Sequence, residues 1–214
     1  MSDSLSALDA AKYLLTRDGA KQGASMSNLK LSTLLYYAQG FCLAMRGEPL
    51  FSEAIEAWRT GPVVPEVDRA FKHGDLNAFP DPSILDAGAY LPEDRELLDA
   101  IMATYGRLSA GELDELARSE APWRIARGSS DRDEPVGLDW IKEFFADLLL
   151  FPDGRESGDI RPHWPLESFR HQKRRALSRR LEGGRAAIRA IAAKRSALCD
   201  TWDEEEVSAE RSGE

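Results

Sequence analysis

The sequence contains few of the side chains that build disulfide scaffolds and metal sites. Its 214 residues include two cysteines, Cys42 and Cys199, and three histidines. The two cysteines are far apart, which argues against a disulfide framework and favours free thiols in a reducing compartment. Neither cysteine has a second ligand at the spacing typical of a metal site, and the histidines are isolated. We therefore expect no disulfide scaffold, no bound metal and no cofactor.

Long hydrophobic runs are missing as well. The densest apolar stretch, residues 144–151, contains Asp147 and is followed by Pro152. It is much shorter than the ~20 residues that a membrane span needs. The N-terminus carries Asp3 where a secretory signal peptide needs a basic start. These absences predict a cytoplasmic protein with no membrane partner.

Motifs that mark catalytic sites are absent too. The sequence contains no Gly-x-Gly-x-x-Gly, no Walker loop and no Gly-x-Ser-x-Gly, so a nucleotide cradle or a nucleophile elbow has no support. Carboxylates are abundant, but Asp94, Glu96 and Asp99 fit the solvent-facing side of a helix. We expect a protein that is not an enzyme. An enzyme assembled from scattered residues is the least favoured alternative.

The charges are distributed unevenly along the chain. Residues 1–154 hold 15 basic and 26 acidic side chains, residues 155–199 hold 12 and 4, and residues 200–214 hold 1 and 7. This asymmetry predicts an acidic folded body over 1–154, a basic helical extension over 155–199 and a flexible acidic tail over 200–214. The extension either folds back on the oppositely charged body, which we favour, or attracts a polyphosphate.

Apolar residues recur every three or four positions along most of the chain, which predicts a mainly α fold. The predicted helices cover residues 6–18, 27–46, 65–73, 92–108, 109–118, 138–150 and, in the basic extension, 165–199 with an interruption at Gly183-Gly184. Residues 53–64 lack this period and predict a short extended or β segment with a turn at Gly61-Pro62. Residues 119–136 are predicted to form a loop. We expect a compact helical domain with this short β segment and a C-terminal basic helical extension.

Several polar residues and a glycine predict where helices begin and end. Either Ser27 or Asn28 is placed to cap the second helix, and Gly47 is placed to terminate it. Ser109 and Glu112 have the spacing of a capping box at the start of the fifth helix.

Four aromatic side chains occupy positions that suggest exposure. Tyr36 and Tyr37 are adjacent on the second predicted helix, about 100° apart, so both cannot point into the centre of the core. Trp58 precedes the predicted turn, and Trp123 follows a proline in the predicted loop. Tyr and Trp combine a large apolar area with a polar group, which suits interface anchors. The alternative is that the four rings seal the edge of the core.

Several of these residues belong to motifs that follow one another in a known order. Residues 29–40, LKLSTLLYYAQG, are similar to the L-x-K-L-L-Y-Y-A-x-G core of the Panacea domain. Residues 57–65, AWRTGPVVP, resemble its A-W-x-x-G-P-V-x-P signature. Farther along, residues 108–113 fit its L-S-x-x-x-L element and residues 122–123 its P-W element. Over about residues 5–150, the chain therefore resembles the SocA-like or GepA-like antitoxins of bacteria and phages.

The resemblance implies a mostly helical antitoxin domain that neutralises a protein toxin encoded beside it. Some SocA-like members act as proteolytic adaptors that deliver the toxin to the ClpXP protease, so ClpX or ClpP is an expected second partner. Toxin contact would fall to side chains of the body, with Gly61 and Pro62 shaping the turn. The predicted partner-binding residues are Tyr36, Tyr37, Trp58, Arg59, Gly61, Pro62 and Trp123.

The alternative function is a nucleic-acid-binding regulator that acts through the basic extension. The acidic body would repel phosphates, and few aromatic residues interleave the basic ones, so we favour the antitoxin. The arginines that could follow phosphates along one helix are Arg174, Arg175, Arg179, Arg180, Arg185 and Arg189.

Overall fold

The computed structural model describes residues 5–18, 26–71, 90–128, 132–150, 181 and 183–194. Over these ranges the chain is mainly α with a small two-stranded sheet, which confirms the predicted fold class. No helix in the described ranges is both long enough and apolar enough to cross a membrane. The elements are α1 (Ala7–Asp18), α2 (Asn28–Arg46), β1 (Glu56–Trp58), β2 (Gly61–Val63), α3 (Pro65–Phe71), α4 (Pro92–Tyr105), α5 (Ala110–Ser119), α6 (Ala121–Arg127), α7 (Leu138–Leu150) and α8 (183–194).

The predicted helix caps are present. The Ser27 side chain accepts a hydrogen bond from the backbone N–H of Lys30 at 3.2 Å, which satisfies a donor that the first turn of α2 leaves unpaired. Gly47 ends α2 in the left-handed conformation, with φ at 76°. Ser109 and Glu112 form a reciprocal capping box at the start of α5.

Helix α2 is the centre of the molecule. Every residue from 30 to 43 is buried, because α1, α4, α5, α7 and β2 all pack around this helix. Tyr36 and Tyr37 are both fully buried, although their side chains leave the helix about 100° apart. The prediction that both cannot point into the core is therefore wrong, because a helix covered on all sides has no outward face.

Helices α2 and α7 approach each other closely at Gly40. A Cβ atom at this position would lie 2.4 Å from the ring of Phe145 on α7, well inside van der Waals contact. Glycine is therefore required here by the close approach of the two helices. The Phe145 ring also packs edge-on against Phe41, with the ring centroids 4.9 Å apart.

The predicted β segment forms an antiparallel hairpin. Ala57 lies opposite Pro62, and Trp58 lies opposite Gly61. The turn consists of Arg59 and Thr60, so the prediction that it lies at Gly61-Pro62 is wrong by two residues. Gly61 instead begins β2 with φ at 122°, a value that closes the two-residue turn and that L side chains rarely adopt.

Residues 134–136 cover the other edge of β1. The Ala57 N–H donates to the Glu134 carbonyl at 2.8 Å, and the Val136 N–H donates to the Ile55 carbonyl at 2.7 Å. The hairpin is therefore fastened on both sides of β1, which leaves little of its backbone unpaired.

Pro122 and Trp123 lie in helix α6, so the predicted loop over 119–136 is wrong for residues 121–127. Pro122 stands in the first turn of this short helix, where a missing N–H removes no intrahelical hydrogen bond. The proline begins the helix rather than breaking it.

The described part of the basic extension, α8, packs on α4. Gly183 and Gly184 are both helical, so the predicted interruption at these glycines is wrong. A Cβ atom at Gly184 would lie 2.5 Å from the Thr104 side chain, and the Lys194 ammonium lies 3.9 Å from the Glu96 carboxylate. The residue that comes later in α8 contacts the residue that comes earlier in α4, so the two helices are antiparallel. The acidic tail over 200–214 and the predicted helix before residue 181 lie outside the described residues.

Candidate functional site

The hairpin and α6 together form one continuous surface, which we call the hairpin surface and define as Trp58, Arg59, Thr60 and Trp123. Arg59 and Thr60 at the turn are exposed, and the two tryptophans are half-buried. The Trp123 indole N–H donates to the Trp58 carbonyl at 3.1 Å, which joins α6 to the end of β1. The structure therefore brings together the predicted residues Trp58, Arg59 and Trp123.

The hydrogen-bonding groups of both indoles are used within the chain. The Trp58 indole N–H donates to the Glu56 carboxylate at 2.7 Å, as the Trp123 indole does to the backbone. What the two rings still present to solvent is apolar area held in a fixed orientation. Such rings suit a contact surface because little side-chain entropy is lost when a partner covers them.

The other four predicted partner-binding residues are not on this surface. Gly61 and Pro62 are buried in β2, and Tyr36 and Tyr37 are buried in α2. Burial leaves none of these four side chains exposed to a partner in this conformation. The interpretation of the two tyrosines as exposed anchors is therefore corrected: they are core residues.

Position 61 requires a glycine because of a neighbouring carboxylate as well as because of its backbone conformation. A Cβ atom at this position would lie 2.7 Å from Oδ1 of Asp114 on α5. The other carboxylate oxygen of Asp114 forms an ion pair with the Arg118 guanidinium at 2.7 Å. Burial raises the pKa of Asp114 above its ordinary value, and the nearby Arg118 opposes that rise. Asp114 thus fills the space that only a glycine leaves open.

Arg127 on α6 fastens the hairpin, and sequence reasoning missed it. Its guanidinium donates to the Ala57 carbonyl at 3.1 Å, to the Arg132 carbonyl at 3.1 Å and to the Asp133 carboxylate at 2.9 Å. One side chain therefore ties α6 to β1 and to the segment before α7. No sequence signal pointed to it, because it lies inside the stretch 119–136 that was interpreted as a loop.

A polar cluster is buried beneath this region; we call it the tyrosine cluster and define it as Tyr36, Tyr37, Tyr105, Glu120 and Arg185. The Tyr37 hydroxyl donates to the Glu120 carboxylate at 3.0 Å, and its ring stacks on Tyr105 at 4.1 Å between centroids. The Arg185 guanidinium donates to the Tyr105 hydroxyl at 3.2 Å. Glu120 is 1% exposed and Arg185 is 5% exposed, so both charged groups are in the interior.

The cluster shifts the acidity of its phenols. Burial, followed by the negative charge of Glu120, raises the pKa of Tyr36 and of Tyr37 well above the ordinary value. Burial also raises the pKa of Tyr105 to about 12, against the opposing charge of Arg185. All three hydroxyls therefore stay protonated at neutral pH and act as hydrogen-bonding groups within the core.

The position of Arg185 corrects one part of the nucleic-acid alternative. Its side chain is buried against Tyr105, so it cannot follow phosphates along an exposed helix face. Arg189 is half-buried on α8. The other predicted phosphate-binding residues, Arg174, Arg175, Arg179 and Arg180, lie outside the described residues.

Neither a metal site nor a reactive thiol stands out where the structure describes the chain. Across those ranges, no group of three or more His, Cys, Asp or Glu side chains could hold a metal ion. Cys42 is a buried thiol whose sulfur lies 3.6 Å from the Glu48 carbonyl. The arrangement of the hairpin surface, with its cation at a turn and two fixed indoles, is suited to binding a protein.

Two comparisons with known proteins identify the family of this chain. The family model described as "Antitoxin SocA-like, Panacea domain" matches residues 31–124, which run from α2 into α6 and contain the hairpin. Antitoxin SocA of Caulobacter vibrioides (strain NA1000 / CB15N) is 31% identical over 154 residues, a match that covers 66% of this chain and 81% of that protein. No solved structure matches. The chain belongs to the SocA-like antitoxin family that carries the Panacea domain.

Proposed function

We propose that this chain acts as an antitoxin by binding a cognate protein toxin through the hairpin surface. The observation that carries the proposal is the exposed Arg59 at the tip of a hairpin inside the family match, flanked by the fixed indoles of Trp58 and Trp123. Arg and Trp are the residue types that most often dominate binding energy at protein interfaces.

The rigidity of the hairpin supports the proposal. Arg127 fastens β1 to α6, and residues 134–136 pair with the outer edge of β1. A surface that is already ordered loses little conformational entropy on binding, so more of its contact energy contributes to affinity.

The experiment is a binding measurement with the protein encoded beside this chain. We expect wild-type chain and neighbour protein to form a stable complex. Arg59→Glu is expected to weaken that complex at least about 10-fold, because it reverses a charge at the centre of the contact. Arg107→Glu is the matched control, since Arg107 is also exposed but lies between α4 and α5. Equal affinity of the two variants would contradict the hairpin assignment, and a chain that binds only nucleic acid would contradict the antitoxin mechanism.

We further propose that the chain delivers the toxin to the ClpXP protease, with the basic extension over 155–199 as the second contact. An adaptor needs two surfaces, one for the cargo and one for the protease, so that both are held at high effective concentration. The extension differs from the body in charge, with 12 basic and 4 acidic side chains. Its charge would suit an acidic partner surface.

Delivery is tested by the rate at which purified ClpXP degrades the toxin. We expect degradation to require this chain and to slow when the chain ends at residue 154. That truncation also removes Leu181, Arg185 and Ile188 of the extension, which are buried in the body, so circular dichroism and toxin affinity must first show that the truncated chain is folded and binds toxin as the full chain does. Toxin that is degraded equally fast with the truncated chain would exclude the extension as the protease contact. Toxin that is neutralised but never degraded would show that the chain blocks the toxin instead of delivering it to the protease.

A further inference from the structure

The extension contributes an arginine to the interior of the body. Arg185 reaches from α8 to the Tyr105 hydroxyl, and Tyr105 stacks on Tyr37, whose own hydroxyl is bonded to Glu120. A cation and an anion that are both buried are thereby connected through two phenols. Charged groups are buried at a cost unless polar partners compensate them, so Tyr37, Tyr105 and Glu120 act as the receptor for the guanidinium.

The side chains beside this arginine show what kind of helix fits. Leu181 and Ile188 are buried one helical turn before and after Arg185, at spacings of four and three residues. The three side chains therefore share one face of the helix. Gly184 lies against Thr104 and lets the helix backbone approach α4 closely. The recognised pattern is an arginine between two aliphatic residues, on a helix with a small residue beside it.

The contacts around this receptor favour exchange over permanent closure. Gly183 and Gly184 stand together in α8, and glycine is a poor helix former. The ion pair between Lys194 and Glu96 is long, at 3.9 Å, and both of its side chains are largely solvated. Replacing a buried charged pair by apolar residues of similar volume is often neutral or stabilising, so this pair holds α8 less firmly than apolar packing would.

We propose that Tyr37, Tyr105 and Glu120 form a guanidinium-binding pocket that α8 fills in cis, and that a partner helix with the Leu-x3-Arg-x2-Ile pattern binds there when α8 detaches. The basic extension is then an intramolecular ligand of the body as well as an appendage. This pocket lies in the interior beneath the hairpin surface, and its ligand is a helix rather than the toxin, so the inference goes beyond the toxin contact and does not depend on it.

The experiment measures binding of a fluorescein-labelled peptide with the sequence of residues 181–194 to the full-length chain. In the chain, Gly184→Leu with Arg185→Ala removes the guanidinium and sets a side chain against Thr104, so α8 no longer fills the pocket. Gly183→Leu is the matched control, because a side chain at Gly183 meets no atom within 4 Å. We expect the doubly substituted chain to bind the peptide at least about 10-fold more tightly than the control, in which α8 competes at high local concentration.

A second peptide tests whether the pocket recognises the charge. Replacing the arginine of the peptide by methionine keeps its length and apolar contacts but removes the guanidinium. We expect this peptide to bind the doubly substituted chain at least about 10-fold more weakly. Adding Glu120→Gln to that chain is expected to weaken the arginine peptide by a similar factor, because the anion facing the guanidinium is lost.

The proposal is overturned if the doubly substituted chain binds the arginine peptide no better than the Gly183→Leu chain does. Equal binding of the arginine and methionine peptides also overturns it, since the groove would then recognise apolar area alone. Should Glu120→Gln disturb folding, as judged by circular dichroism, Tyr105→Phe removes the hydroxyl that Arg185 contacts while conserving the volume of the ring. No toxin enters these measurements, so their outcome is independent of the toxin-binding experiment.

Discussion

Gly61 illustrates how a single residue is constrained from two directions. Its φ of 122° is a backbone conformation that residues with a side chain rarely adopt. A Cβ atom at this position would also lie only 2.7 Å from Oδ1 of Asp114. Sequence reasoning could infer that a glycine before a proline was a backbone device. It could not identify Asp114, which is 53 residues away in the chain and meets Gly61 only after α5 packs on β2.

Gly61→Ala is expected to lower the free energy of unfolding by about 1–3 kcal/mol, because alanine would be strained at this φ. Gly111→Ala is the control on α5, since a Cβ atom there meets nothing within 4 Å. Gly111→Ala is therefore expected to raise the free energy of unfolding by about 0.4–1 kcal/mol. Urea unfolding of both variants measures the difference, and two variants of equal stability would show that neither constraint operates.

The buried phenols give stability a dependence on alkaline pH. Tyr105 has a pKa of about 12 in the folded chain, whereas an unfolded tyrosine ionises near its ordinary value of 10.0. The folded chain therefore holds the Tyr105 proton to a higher pH than the unfolded chain does. The stability that Tyr105 contributes by staying protonated is fully present below pH 10 and is lost as the pH rises towards 12. We expect the free energy of unfolding to fall in that window by about 1.4 kcal/mol per pH unit for this group.

The variant Tyr105→Phe isolates that contribution. It removes the ionising group, so the slope of stability against pH between 10 and 12 should become shallower, whatever the change in absolute stability. Urea unfolding at several pH values gives the slopes of the two proteins. Identical slopes would mean that Tyr105 ionises equally easily in the folded and unfolded chains.

Among the elements, the hairpin is tied to α6 and to the segment before α7 by the side chain of Arg127. Arg127→Ala removes three hydrogen bonds to the hairpin and its neighbouring segment, so we expect a loss of about 1.5–3 kcal/mol in unfolding free energy. The Ala57 amide, which donates to the Glu134 carbonyl, should exchange with solvent at least about 10-fold faster. Arg107→Ala, at an exposed position, is the control. Unchanged exchange at Ala57 would show that strand pairing alone fixes the hairpin.

The elements that sequence reasoning located well are those whose signals are local. Helix α7 covers Leu138–Leu150, the predicted range, because a dense apolar period marks it from end to end. The caps at Ser27 and Ser109 were also readable, since each involves residues three positions apart. Helix α6 was missed because its seven residues are too few for a clear period and its proline suggested a loop.

The candidate site was predictable only in part, because burial depends on what packs around each element. Arg59, Trp58 and Trp123 were selected from residue type and motif position, and the structure brings them together. Tyr36 and Tyr37 were misplaced, since amphipathic reasoning assumes an outward face that α2 lacks. The spacing of Leu181, Arg185 and Ile188 did carry a signal, because it sets an arginine on an apolar stripe.

At the scale of the whole molecule, net charge separates the two functional hypotheses. The chain has a formal net charge of −9, so any attachment to nucleic acid must come from a local basic surface and must weaken steeply with salt. A toxin complex that rests on the indoles and Arg59 should depend less on screening. We expect the toxin complex to persist at about 0.3 M salt, where the Debye length is shorter than at physiological salt. Size-exclusion chromatography at low and high salt tests this, and a complex that dissociates at the higher salt would assign the association mainly to long-range charge.

The contact between Gly40 and Phe145 bears on where this domain ends. The family match stops at residue 124. Gly40 lies inside the match, yet the Phe145 ring that packs where a side chain of residue 40 would be lies beyond it. The stretch that matches the family model is thus shorter than the unit that folds, because α2 is incomplete without α7 on its surface. A fragment cut at the family boundary would expose the Tyr36, Tyr37 and Phe41 rings that Phe145 now touches. In this chain, the folding unit is found by following Gly40 to its aromatic partner, which carries the boundary at least as far as residue 145.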